Sequence, residues 1–163
     1  MNEPSRFTRL PLPAYRYVPG KGPKDEARKD IPSVETEALP PDRWHENEAY
    51  LYGADLFHCG YFYEAHEIWE ALWHKVGHQT RQGNFLKALI QTAALQLKLL
   101  LGDKKTAKRL GERALALLKK VADEEQEPYM GLPISKFSRS LLRQLQNEGP
   151  IPLLSLKEGP VDE

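Results

Sequence analysis

Phe62-Tyr63-Glu64-Ala65-His66-Glu67-Ile68-Trp69-Glu70-Ala71-Leu72-Trp73 is the stretch whose reading decides the fold. Its apolar residues Phe62, Ala65, Trp69, Leu72 and Trp73, with Val76 beyond, recur in steps of three and four, the spacing that gathers side chains on one stripe of an α-helix. The stripe is expected to centre near Trp69, with Trp73 in the core beside it and Gly77 closing the helix. Upstream, Pro41-Asp42 offers an N-cap, and Tyr50, Leu51, Ala54 and Phe57 share one face as far as Gly60. Downstream, a helix from about Arg81 to Leu101 is apolar around more than half its circumference, so it should be the central, most buried element.

Gly102-Asp103 then turns and caps a fourth helix with Ala107, Leu110, Ala114, Leu118 and Val121 in one stripe, and Asp123–Glu127 and Pro128 stop it. A last helix is expected from Ile134 to Gln146, with Ile134, Phe137, Leu141 and Leu145 facing inward. Gly60 and Gly102 each precede an alanine by five residues, Ala65 and Ala107. That weak repetition fits paired helices approaching closely at small residues, as in tetratricopeptide-type hairpins. No segment alternates as a strand would. The expected fold is all-α, a compact bundle of two antiparallel helical hairpins plus a C-terminal helix.

Most of the prolines fall within residues 1–40, where no long helix can form. Leu10 to Gly20 is apolar and aromatic enough to lie extended against the domain, whereas Lys21–Ile31 reads as a charged, mobile linker. The chain thus divides into an extended proline-rich N-terminal arm and linker over 1–40, a helical domain over 41–149 and an aperiodic C-terminal tail over 150–163. Lys and Arg together equal Asp and Glu at 23 each, so no global field draws nucleic acid or an anionic membrane, and neither partner is expected. The basic face of the fourth helix, with Lys104, Lys108, Arg113 and Lys119, is expected to be a solvated surface. Cys59 is the sole cysteine, the N-terminus lacks a secretory pattern, and Leu95–Leu101 is far shorter than the roughly 20 apolar residues of a membrane span. The expected compartment is the cytoplasm.

The chemistry sits on the second helix. His66 and Glu70 are four apart and Glu67 and Glu70 three apart, so their side chains can converge. His66 is expected inside the apolar stripe, with Tyr63, Glu67, Glu70 and His74 on the adjoining flank. His66-Glu67-Ile68-Trp69-Glu70 parallels HExxH, in which two histidines one turn apart hold zinc and the glutamate is a base, but here Glu70 replaces the second histidine. One nitrogen and one or two carboxylates suit a divalent ion such as zinc or a harder one, with His74 a further possible ligand. The expected role is nevertheless structural: a neighbouring carboxylate orients His66, whose other ring nitrogen bonds backbone or solvent, and metal binding is the alternative. His45, His58 and His78 read as surface residues.

Leu56 through Trp73, with its aromatic-EAHExxExxW pattern, resembles the hallmark of the bacterial and archaeal family known as domain of unknown function 309. Phe85-Leu86-Lys87-Ala88-Leu89-Ile90-Gln91, Gly102-Asp103 and Ala107 through Leu118 resemble that family's second hairpin, and Tyr15-Arg16-Tyr17-Val18-Pro19-Gly20 resembles an N-terminal element of its longer members. The resemblance spans about Leu10 to Leu145. Longer members often carry histidines after the Pro-Gly element. This chain has Lys21, Pro23 and Lys24 there, which weakens a metal site shared between the arm and the signature helix. The resemblance implies a compact helical fold and no established activity. The expected function is a non-catalytic helical binding or interaction module without a cofactor, for a protein or small-molecule partner; the alternative is a metal-assisted hydrolase using His66, Glu67 and Glu70.

Overall fold

The computed structural model describes residues 5–20, 32, 34–122 and 127–157. The linker expected over 21–31, most of the acidic stop after the fourth helix and the end of the tail lie outside the described residues. Within them the chain forms a 3-10 turn, Pro41–Glu46, and five α-helices. These are α1 (Glu48–His58), α2 (Phe62–Val76), α3 (Arg81–Leu100), α4 (Lys104–Ala122) and α5 (Ile134–Leu145). No strand occurs among them, only an isolated bridge between Tyr129 and Leu132. The all-α expectation holds: α1–α2 and α3–α4 are hairpins packed in succession, and α5 lies against α4.

Each hairpin turns on a glycine in the left-handed region, Gly60 at φ 87° and Gly102 at φ 79°, which side chains rarely tolerate. Ala65 and Ala107, five residues on, are fully buried, so small residues do mark the close approaches. Asp103 caps α4 by accepting from the Thr106 amide at 3.1 Å. The first helix departs from expectation. Residues from Pro41 wind as a 3-10 turn rather than an α-helix, and Asn47, not Asp42, caps α1 by accepting from the Tyr50 amide at 3.2 Å.

Trp69 is the keystone of the first hairpin. It is fully buried, and its indole Nε1 donates to the Tyr50 carbonyl across the interface at 3.2 Å. The ring lies flat against Gly53, where a Cβ would come within 2.1 Å of Nε1. A mid-helix glycine costs about 1 kcal/mol relative to alanine, and here the contact with Trp69 requires it.

Trp73 and His66 are less buried than their spacing predicted. The buried arc of α2 runs through Glu64, Ala65, Ile68, Trp69 and Leu72, because the N-terminal arm covers the Glu64 side of the helix and extends the core in that direction. Trp73 is left half-buried, its ring stacked on His78 at 3.6 Å with Lys87 Nζ 4.5 Å above it.

The arm packs Phe7, Leu10, Leu12 and Tyr17 against the core, in the extended form expected of it. The tail also folds back. Leu154 is buried and its amide donates to His58 Nε2 at 2.8 Å. His58 is therefore not the surface residue its position suggested, and burial lowers its pKa below the ordinary histidine value. No described helix is long and apolar enough to cross a membrane.

Trp69→Ala should cost about 3–5 kcal/mol in chemical denaturation, the scale for emptying a buried aromatic site, and Trp73→Ala about half of that or less. Equal losses would refute this ranking. Gly53→Ala should cost about 1–3 kcal/mol by overpacking, despite alanine's better helix propensity; a neutral or higher melting temperature would show that Trp69 has room to move.

Candidate functional site

On the outward flank of α2, His66, Glu67 and Glu70 come together. One ligand atom from each lies within 4.8 Å of the other two. His66 Nδ1 faces Glu67 Oε2 at 3.6 Å, beyond hydrogen-bond reach. Nδ1 is shielded from solvent and has no hydrogen-bond partner, a condition few buried polar atoms show. The side chains of His66 and Glu67 remain 25% and 31% exposed, although Nδ1 itself is shielded.

The donor set suits a divalent cation. Nitrogen and carboxylate oxygens bind zinc at about 2.0–2.2 Å, which places any two ligands of one ion about 3–4.2 Å apart. The His66–Glu67 separation already falls in that range. The widest pair, at up to 4.8 Å, needs a contraction of about half an ångström, within reach of a carboxylate rotation.

His74 does not join this group. It is exposed, and its Nδ1 lies 3.1 Å from Nε2 of His78, so one ring donates to the other. The stacking of His78 on Trp73 holds that pair one turn beyond the carboxylates. Tyr63 is buried and turned to the arm, its ring edge-on to Tyr17 at 4.7 Å between centroids. Of the five residues expected to form the site, the structure gathers His66, Glu67 and Glu70 and sends Tyr63 and His74 elsewhere.

Two carboxylates that sequence reasoning passed over are fully buried: Asp55 on α1 and Glu64 on α2. Asp55 accepts from the amides of Phe7 at 2.7 Å and Thr8 at 2.9 Å, from the Thr8 hydroxyl at 2.7 Å, and pairs with Arg6 Nε at 3.1 Å. Glu64 Oε2 accepts from the Tyr17 amide at 2.9 Å. Burial pushes the Glu64 carboxyl above its ordinary range, with the Tyr17 amide, its own backbone and Arg16 opposing the shift. Between these anchors, Tyr52 donates to the Pro11 carbonyl at 2.6 Å and Tyr61 to the Pro13 carbonyl at 2.7 Å. Burial drives the Tyr52 phenol up to about 12, so it remains a donor at neutral pH. The one available signal was a carboxylate, Asp55, inside the otherwise apolar run of α1. Its partners are main-chain amides of a remote segment, and no residue type marks them.

The basic residues of α4, among them Lys104, Lys108, Arg113 and Lys119, are exposed as expected. No curated protein and no solved structure matches the chain. A family model, the domain of unknown function 309, matches residues 50–110, from α1 through the signature helix into α4. Over these residues the chain is similar to the domain of unknown function 309 family.

Proposed function

We propose that the protein is a non-catalytic helical domain that binds one divalent cation through His66, Glu67 and Glu70. The observation that carries this reading is the solvent-shielded Nδ1 of His66, which has no hydrogen-bond partner and stands at ligand spacing, 3.6 Å, from a Glu67 oxygen. A histidine merely oriented by its neighbour would sit within about 3.2 Å of it and use that nitrogen. One nitrogen and two carboxylates favour zinc or a harder ion such as manganese, with water completing the shell on the solvent side.

Hydrolysis is the less well supported reading. In the HExxH arrangement the glutamate stays off the metal and serves as base. Here an oxygen of Glu67 and one of Glu70 both lie within 4.8 Å of a His66 nitrogen, and if both hold the ion neither is left to take a proton from water. A single cysteine suits a reducing compartment, and the cytoplasm is the one we assign.

Isothermal titration of zinc and of manganese into protein purified without an affinity tag should give one saturable site per chain. His66→Gln keeps a donor but is a poor ligand, and it should weaken binding at least about tenfold while leaving the helical signal unchanged. Cation at a hundredfold excess over its dissociation constant should stabilise the wild-type fold by about 2.7 kcal/mol. No saturable heat together with an unmoved melting curve would dismiss the site.

A further inference from the structure

An extended segment that joins no sheet must still satisfy its amides and carbonyls. Along the arm, side chains of α1, α2 and the turn joining them do so. Asp55 takes the amides of Phe7 and Thr8, Tyr52 and Tyr61 donate to the carbonyls of Pro11 and Pro13, and Glu64 takes the amide of Tyr17. Four side chains thus read the main chain of an extended peptide from end to end.

The dependence also runs the other way. Every hydrogen bond and ion pair described for the Asp55 carboxylate comes from Arg6, Phe7 or Thr8. A buried carboxylate deprived of its partners is costly by several kcal/mol. The helical face therefore requires an occupant with amides at these places, and main-chain atoms do not identify which polypeptide supplies them. Selectivity rests on a few side-chain contacts. The Thr8 hydroxyl and Arg6 meet Asp55, Pro13 is buried, Arg16 lies 4.7 Å over the Tyr61 ring, and Tyr17 meets Tyr63.

We infer that Tyr52, Asp55, Tyr61 and Glu64 form a binding site for an extended polypeptide, which the chain's own arm fills in this structure. The ligand class is an extended segment with Arg-x-Thr at one end, Pro-x-Pro in the middle and an Arg-Tyr pair at the other. A tethered occupant has an effective concentration in the millimolar range, so a segment from another chain enters only when the arm is released. This site and the proposed cation site use different residues of α2.

The test keeps the full chain. A cleavage site for a sequence-specific protease is placed between Gly20 and Pro32, the folded protein is cut, and a fluorescent synthetic peptide of residues 5–20 is added. The arm fragment should co-elute with the helical body, and the labelled peptide should displace it saturably, as read by anisotropy. A peptide with Thr8→Val, and separately a body with Asp55→Asn, should bind at least tenfold more weakly. Should the Asp55→Asn body fail to fold, the peptide substitution still decides the matter. The inference is overturned if the body keeps its helical signal but binds no peptide, or if a scrambled peptide binds equally well. It is equally overturned if the body unfolds as the fragment leaves, since the arm is then part of the core.

Discussion

The contact between the Trp69 indole and the bare backbone at Gly53 sets the geometry on which the rest depends. It brings α1 and α2 close enough for Nε1 to reach the Tyr50 carbonyl, and so fixes how α2 is rotated about its own axis. With that rotation fixed, Ala65, Ile68 and Leu72 face the core, Glu64 faces the arm, and His66, Glu67 and Glu70 face the edge of the solvent. A different seat for the indole would redistribute all of these residues between core and surface. One close approach thus determines which acidic residues of the signature helix are buried and which can receive an ion.

Burial separates two kinds of acidic group on neighbouring turns. Asp55 and Glu64 are shut away from water, and hydrogen bonds from the arm offset the desolvation of Asp55 and part of that of Glu64. Glu67 and Glu70 retain solvent access and have His66 beside them. The EAHE sequence therefore holds two devices on one turn of helix. Its first glutamate accepts from the arm, while its histidine and second glutamate belong to the cluster proposed to hold a cation. Helical geometry makes this possible for Glu64 and His66, since residues two apart point to different sides. Both devices share the scaffold that Trp69 holds, and each has its own ligand chemistry.

The helices were legible in the sequence because their periodicity is produced by the burial that stabilises them. The spacing of Phe62, Ala65, Trp69 and Leu72 located α2 from Phe62 to Val76, and Gly60, Gly77 and Gly102 marked the turns. The centre of the buried arc was not legible, because the arm moves it toward Glu64 and no local pattern records where a distant extended segment will lie. For the same reason Trp73 was placed too deep, and His58, which receives the amide of Leu154, was placed at the surface. The start of α1 was misread because an Asp after a proline is a sound cap signal, yet Asn47 has the side chain that reaches a free amide.

The candidate site was legible in its members but not in its grouping. Spacing placed Tyr63 and His74 on the same flank as His66, and the structure draws both away through ring contacts, Tyr63 to Tyr17 and His74 to the His78–Trp73 stack. Such contacts depend on residues that the sequence separates by a helical turn, as His74 and His78, or by most of the arm and α1, as Tyr17 and Tyr63. What remains at His66 is the smallest set that spacing allows, one nitrogen and two carboxylates. That reduction is informative in itself. Nδ1 of His66 is shielded and without a hydrogen-bond partner. In a neutral imidazole whose proton sits on the other nitrogen, Nδ1 carries a lone pair, the donor that the proposed cation site would use beside Glu67.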